Sequence, residues 1–270
     1  MTKDELCTKT FGVVSLGCDK NRVDCEKMVY LLKNYGLQYV EDLTKANIII
    51  VNTCAFIQSA KKESVDSICE VMSYKADYVC EKLIVTGCLS QRYYSQVKDG
   101  FPEVDAVVRL KNNSQILNIV KGLYGLDITQ NDCAKATALA RVVSTPSYFA
   151  YLKIADGCNN CCAYCTIPQI RGRYVSVPPK VLVKEAKELA KNGVRELILV
   201  AQDVTNYGSD LFGKPMLVEL LKELSKIKKI KWIRLHYCYP NLISDELLQE
   251  VSSNPKICKY LDIPMQHAND

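Results

Sequence analysis

The sequence predicts an α/β protein in two parts, an N-terminal parallel-sheet α/β domain followed by an incomplete (β/α) barrel. Three observations lead there. Short β-branched runs alternate with amphipathic runs from residue 11 to residue 110, the same alternation resumes at Tyr148 and lays down four more strands, and cysteines recur where a strand hands over to a helix.

The first strand is read at Gly12–Ser15. Asn21–Asn34 reads as a helix because Val23, Met28, Leu31 and Leu32 recur at helical spacing. Asn47–Val51 is a strand, Ala60–Met72 a helix and Lys82–Thr86 a strand. This order implies a parallel sheet covered by helices, and in such sheets ligands collect at the C-terminal ends of the strands. Cys18 follows the first strand in Ser15-Leu-Gly-Cys, Cys54 the second in Val51-Asn-Thr-Cys, and Cys88 the third in Val85-Thr-Gly-Cys. Each is expected in a strand-to-helix turn on one edge of the sheet, where helix N-termini favour thiolate over thiol. Three structural cysteines would have no reason to take the equivalent position of each βα unit, so Cys18, Cys54 and Cys88 form a candidate ligand set for a metal cluster. Cys25, one turn into the first helix, reads as packing.

Residues 124–145 break the alternation with Gly125, Asp127, Asn131, Asp132 and Pro146 beyond, and read as a linker between domains at 1–123 and 146–270. In the second domain strands are expected at Tyr148–Ile154, Glu196–Ala201, Trp232–His236 and Tyr260–Pro264, with helices at Pro178–Asn192, Leu217–Lys226 and Asp245–Ser252. Four strands do not close a barrel, so the sequence is expected to be a fragment of a longer protein, truncated at its C-terminus.

The first strand of that domain runs into Asp156-Gly-Cys-Asn-Asn-Cys-Cys-Ala-Tyr-Cys-Thr-Ile-Pro168, which holds Cys158, Cys162 and Cys165 in the spacing C-x3-C-x2-C. Three thiolates in one short loop suit three corners of a cubic iron–sulfur cluster and leave the fourth iron open to a small molecule. The same residues also read as two abutting pairs, Cys158/Cys161 and Cys162/Cys165, which is the zinc alternative. A four-thiolate zinc site normally places a dozen or more residues between its pairs, and here there are none.

The chain has 270 residues, 14 of them cysteine, and a formal net charge of +5, which permits an acidic partner such as RNA or a ribosome without demanding one. No apolar signal region opens the sequence and the longest apolar runs are strand-length, so membrane insertion and export are not expected. In a reducing cytoplasm the cysteines are reduced thiols and metal ligands. Cys7, Cys69, Cys80, Cys133, Cys238 and Cys258 stand singly and read as small buried hydrophobes. The basic Lys226–Lys231 stretch reads as a solvated loop.

These residues resemble the radical S-adenosylmethionine methylthiotransferases. The C-x3-C-x2-C loop resembles the signature of radical S-adenosylmethionine enzymes, and Ser15-Leu-Gly-Cys-Asp-Lys-Asn, Val51-Asn-Thr-Cys and Val85-Thr-Gly-Cys resemble the three-cysteine N-terminal domain of the methylthiotransferases. Within the family, Ser15–Asp24, Ile167–Gly172, Gln202-Asp203 with Tyr207-Gly208, and Leu261–His267 resemble the RimO branch, which modifies a ribosomal protein, more than the tRNA-modifying MiaB branch. The family spacing selects Cys158, Cys162 and Cys165 as ligands and leaves Cys161, at a position usually filled by another residue, as a departure. A second departure is length, since members continue through more barrel and a TRAM domain.

The resemblance implies two 4Fe-4S clusters and S-adenosyl-L-methionine as cofactors. The methionyl group would chelate the open iron at Cys158/Cys162/Cys165, reduction would yield a 5′-deoxyadenosyl radical, and the cluster at Cys18/Cys54/Cys88 would supply the methylthio group to the β-carbon of an aspartate of small-subunit ribosomal protein twelve. Tyr164 resembles the aromatic position along the adenine, with loop packing as its alternative. Gln202 and Asp203 end the second barrel strand on the catalytic face, where contact with cofactor or substrate is expected. Arg171 is placed either to neutralise a carboxylate or to form a structural ion pair. His236 and His267 also end strands, with no third zinc ligand near either. The expected partners are the ribosomal protein and an electron donor such as flavodoxin or ferredoxin, with no membrane and no DNA, and the expected location is the cytoplasm. Rival readings are methylthiolation of tRNA adenosine and a noncatalytic iron–sulfur scaffold.

Overall fold

The computed structural model describes residues 2–127 and 140–265. The chain divides into two compact units, Met1–Val142 with Gln169–Arg171, and Val143–Pro168 with Gly172–Asp270. Most of the linker expected at 124–145, together with Cys133 and His267, lies outside the described residues.

In the first unit, strands β1 (Thr10–Ser15), β2 (Gln38–Tyr39), β3 (Ile48–Thr53), β4 (Lys82–Gly87) and β5 (Ala106–Val107) form a parallel sheet in the order β2-β1-β3-β4-β5. Every residue of β3 is buried, because successive side chains enter opposite cores. Ile48 and Ile50 pack with Met28 and Leu32 of helix α2 (Asp19–Tyr35), which follows the short helix α1 (Lys3–Cys7), and with Ile116 and Val120. Ile49 and Val51 pack on the other face with Ile68 and Val71 of the helix Gln58–Asp77. Each such Ile contributes about 1.5–3 kcal/mol when fully buried, which is why a β-branched run here has no polar alternation. The three strands and two helices read from the sequence are present, each within a few residues of its expected ends. The two-residue edge strands are too short to leave a pattern.

The second unit contains a four-stranded parallel sheet of β6 (Phe149–Lys153), β9 (Glu196–Val200), β10 (Trp232–Leu235) and β11 (Ile257–Leu261), in the order β11-β10-β9-β6, where β7 (Ala155–Asp156) and β8 (Val175–Ser176) form a separate antiparallel ribbon. Helices at Pro179–Lys191, Leu217–Ser225 and Asp245–Ser253 cover it, with Leu182, Ala186, Leu221, Leu224 and Leu247 in one core with Leu197, Leu199, Ile233 and Ile257. The last strand is a correction: it was expected at Tyr260–Pro264 and runs Ile257–Leu261. Ile257 is the buried residue that pairs with Ile233, whereas Ile263 is exposed.

Among the single cysteines, Cys80 and Cys238 are buried as expected, Cys7 and Cys258 are half-buried, and Cys69 is exposed. Cys69 corrects the expectation of burial: its helical neighbour Ile68 takes the core face and turns Cys69 outward. Cys25 is buried in α2, and burial pushes its thiol up to about 11. Lys226, Lys228, Lys229 and Lys231 are exposed on a loop pinned by buried Ile227 and Ile230, as a solvated loop requires. No helix of the described residues is long and apolar enough to cross a membrane.

Candidate metal centres

Strand register carries Cys18, Cys54 and Cys88 to one sheet edge. Ser15 pairs with Asn52 and Thr53 with Gly87, so the chain leaves β1, β3 and β4 side by side. Gly17, at φ +87°, abuts Cys54 so closely that a Cβ there would lie 2.8 Å from Cys54 Cβ and 3.0 Å from its Sγ. Gly87 reaches φ +96° immediately before Cys88, and a Cβ would stand 2.4 Å from the Thr53 carbonyl oxygen. Both turns therefore require glycine. Asn21 Nδ2 donates to the carbonyls of Leu16 (2.7 Å) and Thr53 (3.2 Å), lacing the first two turns together.

Two expectations at this edge are corrected. Cys18 is the N-cap of α2 and Cys88 opens a short helix (Cys88–Arg92), but Cys54 precedes its helix by four residues. Its backbone is held by Ser64 instead, whose Oγ accepts from Cys54 N–H (2.9 Å) and donates to Cys54 C=O (2.8 Å). Nor does the turn favour thiolate at Cys88. Burial pushes that thiol up to about 11, assisted by the neighbouring Cys18 and Cys54 thiols, against the lowering effect of Arg171.

The loop of the second unit presents Cys158, Cys162 and Cys165 half-buried and Cys161 exposed at φ +48°. It is tied at several points. Cys158 N–H donates to Gly172 C=O (3.2 Å), Tyr174 N–H to Asn159 Oδ1 (3.1 Å), and Asn160 Nδ2 to Asp203 Oδ2 (3.1 Å). Two backbone amides point at sulfur, Asn160 N–H at Cys158 Sγ (3.4 Å) and Ile167 N–H at Cys165 Sγ (3.5 Å). Burial raises the Cys158 thiol, the Asn160 amide lowers it, and Asp203 raises it further.

Both sets suit iron–sulfur clusters by donor chemistry. Each offers three thiols on short, braced turns, and amide donors to ligand sulfurs are what such clusters use to tune their potential. Among the described residues no three His, Cys, Asp or Glu side chains form a group for a metal ion as they stand. A zinc knuckle would need thiolates about 3.8 Å apart, from a Zn–S distance of about 2.3 Å, whereas thiolates of a cubane bind different irons and stand wider.

At the end of β9, Gln202 Nε2 donates to Asp156 Oδ1 (3.2 Å), while its buried Oε1 has no hydrogen-bond partner among the described residues. Asp203 spends both carboxylate oxygens on protein, Oδ2 on Asn160 and Oδ1 on Thr205 N–H (3.0 Å) and hydroxyl. Tyr164 is 71% exposed. His236 hydrogen-bonds through its backbone to Leu199 C=O (3.2 Å) and sets its ring edge-on to Tyr237. Sequence reading missed Asn160 and the buried Tyr174, whose hydroxyl donates to Asp203 C=O (2.8 Å). Their one signal was position, inside or just beyond the cysteine loop.

Residues 10–109 match the family described as "Uncharacterized protein family UPF0004", and residues 152–270 match the "Radical SAM superfamily". A relative from Thermoanaerobacter sp. (strain X514), "Ribosomal protein uS12 methylthiotransferase RimO", is 46% identical over 266 residues, 97% of this chain and 61% of its own. One of the same description from Clostridium botulinum (strain Hall) is 46% identical over 264 residues, 96% of this chain and 59% of its own. The chain thus spans about three fifths of the length of the curated relatives it matches. Among solved structures, the radical S-adenosylmethionine methyltransferase TsrM from Kitasatospora setae aligns at TM-score 0.66 and 12% identity over 96% of this chain and 59% of its own. The cobalamin-dependent S-adenosylmethionine radical enzyme OxsB aligns at TM-score 0.54 and 10% identity, over 92% of this chain and 42% of its own. These last two share the fold. With both family models matched in this order and 46% identity along nearly its whole length, the chain is similar to radical S-adenosylmethionine methylthiotransferases of the RimO description.

Proposed function

We propose that the chain carries the two cluster-binding domains of a methylthiotransferase that modifies the β-carbon of an aspartate in ribosomal protein uS12. The observation that carries this reading is the pairing of two separate three-cysteine sets, one at the edge of a parallel sheet and one in the C-x3-C-x2-C loop, in a chain 46% identical to relatives described by that activity.

Cys158, Cys162 and Cys165 would hold one 4Fe-4S cluster, and Cys18, Cys54 and Cys88 a second. When bound, the clusters with S-adenosyl-L-methionine supply one-electron reduction, hydrogen abstraction and the methylthio group. The amides of Asn160 and Ile167 offset negative charge on two ligand sulfurs. Asp203 holds the loop through Asn160, a positioning role. Gln202 offers its unpartnered Oε1 to an N–H of the cofactor, and Tyr164 an exposed ring face to its adenine. An electron donor of the flavodoxin or ferredoxin kind would reduce the loop cluster, in the cytoplasm where ribosomes are built.

Mass spectrometry of uS12 and of bulk tRNA from a deletion strain tests the reading. Loss of the methylthio group from the uS12 aspartate, restored by the gene, is expected. Unmodified tRNA beside normal uS12 would overturn it in favour of the tRNA adenosine reaction.

A further inference from the structure

Arg171 makes the ion pair that a loop arginine commonly makes, with Nη1 3.1 Å from Asp24 Oδ2 and a side chain only 1% exposed. Its other terminal nitrogen does something the ion pair does not require. Nη2 lies 3.8 Å from Cys88 Sγ and 3.5 Å from Asn21 Oδ1. Asn21 and Asp24 stand one turn apart on α2, the helix that Cys18 caps, so the guanidinium joins that helix to the Cys88 turn within the first unit. The backbone beneath it is fixed, because Ile170 is buried in the hydrophobic cluster of Ile49, Val51, Leu89 and Val97.

A buried guanidinium is costly unless its donors are matched, and here the carboxylate takes Nη1 while Nη2 faces the Cys88 sulfur. Hydrogen bonds and positive charge at a ligand sulfur favour the reduced, more negative state of an iron–sulfur cluster and so raise its potential. We propose that Arg171 is a positioning residue of the N-terminal cluster site: held by Asp24, it donates to the Cys88 sulfur and raises the reduction potential of the cluster bound there. The inference rests on Cys18, Cys54 and Cys88 holding a cluster, and it adds a residue that lies outside that ligand set and follows the loop cysteines in sequence.

The test is an EPR-monitored redox titration of the full chain carrying Cys158→Ala, Cys162→Ala and Cys165→Ala, which leaves the N-terminal cluster alone. Arg171→Gln is expected to keep about four irons. It should lower the reduced-to-oxidised ratio at a fixed ambient potential about tenfold, equivalent to about 59 mV for a one-electron couple. Arg171→Lys, which keeps the charge, is expected to recover part of that shift. Asp24→Asn keeps an acceptor for the guanidinium but removes the opposing charge, so the potential should rise. Parent potential in an iron-replete Arg171→Gln chain overturns the inference, as do shifts of the same sign in Arg171→Gln and Asp24→Asn, which mean loosened structure only. If Arg171→Gln loses its iron, Asp24→Asn decides: a rise supports the inference and a fall or no change overturns it. An iron-free parent instead removes the cluster reading itself, and the inference with it.

Discussion

Gly17 has its Cα pressed against Cys54 at a positive φ, so a single methyl group tests whether the sheet edge is built around that contact. Gly17→Ala is expected to cost about 2 kcal/mol for the left-handed backbone alone. The methyl would also displace Cys54, so reconstituted iron at the N-terminal site should fall while iron at the cysteine loop stays. Thermal unfolding and iron content of the variant check both, and full iron with unchanged stability would mean that the Cys54 turn tolerates repacking. At this scale the cysteines were legible because each ends a β-branched run, a signal written in consecutive residues. The protonation of Cys88 was not, because burial and the thiols of Cys18 and Cys54 come from distant parts of the chain. The exposure of Cys69 was equally hidden, since one residue of helical phase decides it.

The cysteine loop depends on its neighbours rather than on its own conformation. The β7–β8 ribbon closes its base, and the Asn160–Asp203 hydrogen bond ties its middle to the end of β9. Removing that donor with Asn160→Ala leaves the buried Asp203 carboxylate with Thr205 as its remaining side-chain partner, at a cost of about 2 kcal/mol. Iron should then leave the loop faster under a chelator, with the N-terminal site unaffected, and equal release rates in parent and variant would show that the thiols alone set the loop. Helix α2 could be read because its apolar period repeats over seventeen residues, and β3 because its unbroken β-branched run marks a strand buried on both faces. The ribbon strands and edge strands of two residues carry no period, and the last strand was misplaced because an exposed apolar run at Ile263 resembles the buried one at Ile257.

Sequence order divides the chain once, near the linker, but packing divides it differently. Gln169–Arg171 joins the first unit, through Ile170 in its core and Arg171 beside Cys88. No local pattern announces this, since it depends on contacts about 80 to 150 residues apart. The two cysteine sets nonetheless lie in separate compact units, each with its own core, which argues that they load iron independently. Anaerobic reconstitution should therefore place about eight irons on the parent chain, falling to about four when Cys18, Cys54 and Cys88 become alanine and likewise when Cys158, Cys162 and Cys165 do. Mössbauer spectra of the two half-sites should then sum to that of the parent. Four irons in both the parent and the N-terminal variant would reduce Cys18, Cys54 and Cys88 to packing and leave the proposed function with one cluster instead of two.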